Sequence, residues 1–232
     1  MSADMTAQDT SPKLATASDY VELMKPRIMM LVVFTALAGL VAAVGVTGQS
    51  VNPVLATVTI LAVALGSGAA GAINMWYDAD IDAIMTRTST RPIPSGAIPK
   101  DEALTLGLIM SAVSVLLMWI ASNVLAAGLL ALSIAYYGWF YTMVLKRRTA
   151  QNIVIGGAAG AFPPVIGWAA VTGATPLDAW ILFAIIFFWT PPHFWSLAML
   201  AREDYAKANV PMLPVIAGDR VCAWVILGHT LG

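Results

Sequence analysis

From Ile28 to Tyr77 the chain reads IMMLVVFTALAGLVAAVGVTGQSVNPVLATVTILAVALGSGAAGAINMWY, without a single charged residue. A membrane-spanning helix needs about 20 apolar residues. This run therefore holds two, and Gly45, Gly48 and the Asn52-Pro53 pair place a tight turn between them. The pattern repeats outward. Ala103 to Leu145 is uncharged, with a turn at Ser122-Asn123, and from Thr149 to Ala201 the only charge is Asp178, beside Gly173 and Pro176 at the tip of a third hairpin. The sequence thus predicts an all-α fold, a polytopic transmembrane helical bundle with six complete spans.

The flanks complete this division. Val221 to Gly232 is apolar after Arg220 but amounts to only about 18 Å of helix against a hydrocarbon core about 30 Å thick. It reads as the start of a seventh span in a chain that is incomplete at its C-terminus. Residues 1–27 form a polar segment, and 28–232 the transmembrane domain. The N-terminal segment has no apolar h-region, so it is not a cleavable signal peptide, and it lacks the Arg-rich character of a mitochondrial transit sequence.

Composition agrees. Of 232 residues, 59% are hydrophobic and 11% charged, against roughly 45–50% and about 25% in soluble domains. Mean hydropathy is +0.79. A water-soluble globule, a disordered chain, a zinc scaffold and a disulfide-stapled module are excluded, the last because Cys222 is the only cysteine. The net charge of −1 gives no hint of nucleic acid. The placement of the basic residues is more informative. Lys13, Lys25 and Arg27 precede the first span; Arg87, Arg91 and Lys100 follow the second; Lys146, Arg147 and Arg148 follow the fourth; Arg202, Lys207 and Arg220 follow the sixth. These are all twelve, and all fall on one side of a six-span hairpin layout. By the positive-inside rule that side, with the N-terminus, is cytoplasmic.

The same side carries twelve of the thirteen acidic residues, so chemistry is to be sought there. At the end of the second span the sequence runs Gly71-Ala-Ile-Asn74-Met-Trp-Tyr-Asp78-Ala-Asp80-Ile-Asp82. Asn74, Asp78 and Asp82 are spaced by four and share one helical stripe; Asp80 points nearly the opposite way. Two carboxylates about 6 Å apart repel by roughly 3 kcal/mol at an effective dielectric near 20 but by under about 1 kcal/mol in water. Burial therefore decides between two readings, a solvated acidic helix end and a cation seat made of the hard oxygen ligands that Mg²⁺ accepts. Arg87 and Arg91 follow at once, before Pro92 and Pro94 end any helix. Their forks suit phosphate oxygens, although basic residues here also serve as orientation signals. Lys146, Arg147 and Arg148, after Tyr141, can complete an anion site or act only as such a signal.

A second polar patch follows the sixth span: Trp189-Thr-Pro-Pro-His193-Phe-Trp-Ser, then Arg202-Glu-Asp204-Tyr205. Asp204 stands in for a second acidic site. His193 is either functional, as intramembrane ionisable residues tend to be, or hydrogen-bonded to a neighbouring helix. Trp76, Tyr77, Tyr136, Tyr137, Trp139, Tyr141, Trp189 and Trp195 crowd the cytoplasmic span ends as an aromatic belt. Gly156 and Gly160 form a small-xxx-small step of the kind that permits close helix packing.

The stripe Asn74, Asp78, Asp82 with its Arg87-Thr-Ser-Thr-Arg91-Pro continuation resembles the first acidic motif of the UbiA superfamily of intramembrane prenyltransferases. Tyr141-Thr-Met-Val-Leu-Lys146, Trp189-Thr-Pro-Pro-His193-Phe-Trp, and Glu203-Asp204-Tyr with Val210-Pro-Met-Leu-Pro214 resemble its haem-farnesylating branch. The resemblance implies transfer of a farnesyl group from farnesyl diphosphate to a vinyl group of protohaem IX, with Mg²⁺ as the required ion. It implies that Asn74, Asp78, Asp82 and Asp204 are catalytic and hold metal, and that Arg87, Arg91, Tyr141 and Lys146 bind the diphosphate. It also implies a multi-pass protein of the bacterial inner membrane, embedded in lipid and associated with other enzymes of haem A biosynthesis. His193 as a haem contact is a separate hypothesis. Two features depart from other branches: Ala208, four after Asp204, replaces a second carboxylate, and Tyr141 and Lys146 are five apart. The alternatives are a relative that prenylates an aromatic acid such as 4-hydroxybenzoate and, in another class, a transporter. A transporter would place its ionisable residues near the bilayer midplane.

Overall fold

The computed structural model describes residues 14–231. Lys13 and the rest of the polar leader before it lie outside the described residues. A short helix α1 (Ala17–Leu23) leads into α2 (Pro26–Thr47), and α3 (Pro53–Ile84) and α4 (Lys100–Ala121) follow. Helix α5 (Val124–Ala135) continues without a break into a π-helical segment, Tyr136–Leu145. Then come α6 (Asn152–Gly156), α7 (Ala158–Thr172), α8 (Leu177–Leu200), α9 (Arg202–Lys207), α10 (Leu213–Ala217) and α11 (Asp219–Leu231).

Among the described residues, six helical stretches are long and apolar enough to cross a membrane: Pro26–Thr47, Pro53–Ile84, Lys100–Ala121, Val124–Leu145, Asn152–Thr172 and Leu177–Leu200. The protein is a multi-pass membrane protein, and the six spans follow the charge-free runs. Their turns are made by the residues that punctuate the sequence. Asn52 accepts hydrogen bonds from the amides of Val54 and Leu55, at 2.9 and 3.4 Å, and Pro53 opens α3. Asn123 caps α5 through the Ala126 amide at 2.9 Å, and its own amide donates to the Ala169 carbonyl at 2.7 Å, tying this turn to the end of α7.

The bundle's tightest contact is between α2 and α7. A Cβ on Gly39 would lie 2.1 Å from the Pro164 carbonyl oxygen, and one on Gly167 would lie 2.0 Å from that of Ala36. The backbones touch, so only glycine fits. This corrects the expectation for Gly156 and Gly160. Gly160 faces open space, and Gly156 receives the Tyr141 ring, which an added Cβ would meet at 2.2 Å. Of that pair only Gly156 makes room for a neighbour, and what it admits is a side chain, not a helix backbone.

The main core is correspondingly built of small and medium residues, Ala36, Ala62, Val63, Ala70, Ala126, Leu130 and Ile166 among them. Phe34, Trp119 and Ile120 instead lie exposed on the outside, where lipid is the solvent. At about 1.5 Å per residue, the 32 residues of α3 extend roughly 48 Å, well beyond a hydrocarbon core about 30 Å thick. Its last turns therefore project past the bilayer's apolar layer, carrying the acidic motif with them. There a second core forms, of Ile81, Met85, Ile153, Trp195, Val210 and Met212.

Candidate active site at the end of the second span

The acidic stripe is buried. Asn74 is 3% exposed, Asp78 0% and Asp82 2%, whereas the Asp80 side chain is 60% exposed. At this burial, unpaired carboxylates would be driven to neutralise, and each is met by a cation from elsewhere in the chain. Lys146, just past the π-helical segment, donates to Asp78 Oδ2. The Nη1 of Arg91 donates to Asp82 Oδ2 at 2.6 Å. Arg147 closes a two-pronged bond on Asp80, both contacts at 2.7 Å. Its Nη2 also lies 3.6 Å from Asp78 Oδ1, and its guanidinium sits 4.7 Å from the centroid of the Tyr77 ring.

Asn74 links these pairs. Its amide donates to Asp78 Oδ2 and to Thr142 Oγ1, both at 2.9 Å, while Lys25 donates to its Oδ1. Thr142 in turn donates to the Tyr137 carbonyl, five residues back, at 2.7 Å. The wide turn here sets Thr142 and Lys146 against Asn74 and Asp78 and seats Tyr141 in the notch at Gly156. Tyr141 stacks on Tyr137 with centroids 5.4 Å apart, and the Lys25 ammonium lies 5.9 Å from the Tyr137 ring centroid. Desolvation first, then the Arg91 and Lys146 charges, pull the Lys25 ammonium down to about 7.

The loop after α3 is folded back by its own hydrogen bonds. Thr88 Oγ1 donates to the Asp82 carbonyl at 3.0 Å and the Ile98 amide to the Pro92 carbonyl at 3.0 Å, which returns Arg91 to Asp82. Asp204 of α9 holds the loop from outside. Its two oxygens accept from the amides of Thr86 and Arg87, at 3.2 and 3.1 Å. The Arg87 amide, with that of Thr86, holds this carboxyl below the ordinary carboxylate range.

Asn74, Asp78, Asp82, Arg91 and Lys146 are thus brought together, with Tyr141 beneath them. Asp204 is not brought to the stripe; it braces the loop that carries Arg91. Arg87 is exposed. His193 lies on the exposed face of α8, stacked on Trp189 at 4.3 Å between centroids. It borders a groove of about 410 Å³ shared with Ser196 and with Ile226, His229 and Thr230 of α11. A larger groove, about 580 Å³, runs between α3, α4 and α5 on the flank of α3 that bears Ile73 and Trp76. Its lining is apolar except for Ser111.

Lys25 and Thr142 were not legible as site residues. Lys25 counted only towards orientation, and Thr142 carried no charge. The one signal available for Thr142 was its position four before Lys146, on the same face.

The residues fit a divalent cation by one direct observation. Asp78 Oδ1 is fully buried and has no hydrogen-bond partner among the described residues, an orphaned hard oxygen inside a cation-rich cluster. Among the described residues no group of three or more His, Cys, Asp or Glu side chains converges. The protein would therefore supply two carboxylates and an amide oxygen, leaving further positions to water and to the oxygens of a phosphorylated substrate, as Mg²⁺ commonly does.

At one end of a lipid-facing bundle, lysine and arginine thus answer a buried carboxylate stripe. The UbiA prenyltransferase family model matches residues 32–232, and the chain belongs to that family. It is 73% identical over 228 residues to the protoheme IX farnesyltransferase of Hyphomonas neptunium, the match covering 98% of this chain and 72% of that protein. It is 59% identical over 228 residues to the protoheme IX farnesyltransferase of Acidiphilium cryptum, covering 98% and 71%. In fold it is similar to a UbiA homolog from Archaeoglobus fulgidus solved with DMAPP and Mg²⁺, with TM-score 0.74, 20% identity, and coverage of 92% of this chain and 74% of that one.

Proposed function

We propose that this protein transfers the farnesyl group of farnesyl diphosphate to the 2-vinyl group of protohaem IX, giving haem O and diphosphate. The observation that carries the chemistry is the complete burial of Asp78 between Lys146 and Arg147. The choice of haem as acceptor rests on the high identity to relatives named for that activity.

Asn74, Asp78 and Asp82 are the residues that would hold Mg²⁺. When bound, the metal supplies Lewis-acid stabilisation of the departing diphosphate. Lys146 and Arg91 add fixed positive charge in a site of low dielectric, where it is worth far more than in water. Arg87, exposed on the loop after α3, and Tyr141 would complete the diphosphate contacts. Asp204 acts by holding the loop that returns Arg91 to Asp82. The C1–O bond to diphosphate breaks, and the vinyl π electrons form the new bond to the farnesyl C1. Water then adds its hydroxyl to the cation left on the vinyl carbon and releases a proton. No side-chain nucleophile is required, and the lipid-facing bundle keeps water from the allylic cation before the vinyl group attacks.

His193 contacts the porphyrin in the aromatic groove beside Trp189. Unchanged haem affinity and an unchanged haem absorption band in His193→Ala would remove that assignment. The basic face, with the N-terminus, is cytoplasmic, in the bacterial inner membrane. A poorly soluble porphyrin also suits hand-over between associated enzymes of haem A biosynthesis. The grouping of ionisable residues at one end of the bundle disfavours a transporter.

Mass spectrometry of haem extracted from cells with and without the protein tests the reading. Haem O should appear only with it. A prenylated 4-hydroxybenzoate beside unaltered haem would move the acceptor to the aromatic branch.

A further inference from the structure

Lys25 has no place in the motif, yet the fold takes trouble to deliver it there. It is one of two non-glycine residues with positive φ among those described, at φ 55° and ψ 64°, and it precedes a proline, where backbone freedom is already narrow. Leu23, completely buried against Ala72, Met75 and Ile98, anchors the helix before it. A Cβ on Gly71 would lie 3.2 Å from the Met24 carbonyl oxygen, so the small residue lets the chain approach α3 closely just before Lys25. The result is an ammonium group on Asn74 Oδ1.

The charges in the cluster are otherwise matched. Lys146 answers Asp78, Arg91 answers Asp82 and Arg147 answers Asp80. Lys25 answers only a neutral amide. It is the one basic side chain of the cluster without a carboxylate partner among the described residues, held against one of the three oxygen-bearing side chains of the stripe. A divalent cation on Asn74 Oδ1 would stand directly beside that ammonium, and like charges at such distance repel strongly in a low dielectric. Lys25 would therefore leave Asn74 when metal binds there, and the nearest anion left for it would be the diphosphate that accompanies the metal.

On the reading given under Proposed function, we propose that Lys25 is a diphosphate-binding residue, held on Asn74 until metal takes that oxygen. Two consequences with opposite sign follow. Lys25 competes with the metal when metal is alone, and it recruits the diphosphate when metal is present. A merely structural lysine would produce only losses.

The test uses the protein in lipid nanodiscs, with Mn²⁺ as the metal probe and inorganic diphosphate as the anion, both followed by titration calorimetry. Lys25→Gln keeps a donor to Asn74 without the charge, and Lys25→Arg keeps the charge. The expected result for Lys25→Gln is affinity for Mn²⁺ alone equal to or above wild type, with affinity for diphosphate in the presence of Mn²⁺ reduced roughly tenfold or more. Lys25→Arg should retain most of the diphosphate affinity. Parallel loss of both affinities in Lys25→Gln, or undiminished diphosphate binding, overturns the role of Lys25. Should Lys25→Gln fail to insert, Lys25→Met, which also removes the charge, takes its place: diphosphate affinity lost with Mn²⁺ affinity kept supports the proposal, and parallel loss of both or retention of both overturns it. If wild type itself shows no Mn²⁺-dependent diphosphate binding, the active-site reading fails first.

Discussion

Asp78 is the residue on which the site turns. It is fully buried, receives Lys146 and Asn74 on one oxygen and leaves the other without a hydrogen bond. Breaking a buried ion pair from one side leaves an uncompensated charge and costs roughly 3–5 kcal/mol, whereas replacing both partners with apolar groups is often close to neutral. We expect Asp78→Leu and Lys146→Met each to lower the thermal midpoint in detergent. The double variant should recover much of that loss yet form no product. A double variant as unstable as the singles would mean that the pair is not an isolated unit. The shared face of Asn74, Asp78 and Asp82 was legible because their spacing is a local property of one helix. The place of Lys25 was not, because it reaches Asn74 across 49 residues, and no periodicity within a helix encodes a partner on another. The present partners of Asp204 were hidden for a similar reason: a carboxylate just past a span looks the same whether it points into a site or caps two loop amides.

At the scale of elements, the turns were the most legible parts. Asn52-Pro53, Ser122-Asn123 and Gly173 with Pro176 end and start helices where their backbone chemistry dictates. The π-helical segment was hidden, because Tyr136–Leu145 carries no charge and a change of pitch leaves no trace in hydropathy. It nevertheless sets the site. Deleting Met143 removes one residue from the ten that lead into Lys146 and, at unchanged pitch, turns Lys146 by one residue's rotation about the helix axis relative to Tyr137. The expected outcome is loss of farnesyl diphosphate binding in a protein that still inserts, measured by calorimetry and circular dichroism. Unchanged binding would show that the register of this segment does not position Lys146. The glycine step was also misread. Gly156 and Gly160 have the right spacing for helix contact, but spacing alone cannot say which helix lies opposite, and the contact is made instead by Gly39 and Gly167.

For the whole molecule, the sequence carried span number because the bilayer imposes apolar length on composition, while sidedness is the expectation that the placement of the basic residues gives. The relation between spans is set by packing, and there composition is silent. Sidedness has a direct check. Single cysteines placed at Gln49 and Ala174, in a Cys222→Ser background, should react with a membrane-impermeant maleimide added to intact cells. One placed at Ser95, on the loop beside the acidic motif, should react only after the membrane is opened. The reverse pattern would invert the orientation. The enclosure of the acidic stripe by three cations from separate parts of the chain is a property of the assembled bundle, since Lys25, Arg91 and Lys146 meet only when α2, α3 and the segment after α5 pack together.

The most direct measurement of that enclosure is anomalous scattering from crystals of the protein grown with Mn²⁺ and inorganic diphosphate. The account predicts a metal peak bounded by Asn74, Asp78 and Asp82, with diphosphate density against Lys146 and Arg91. Ordered metal elsewhere, with the stripe still closed by its own lysine and arginine pairs, would contradict it.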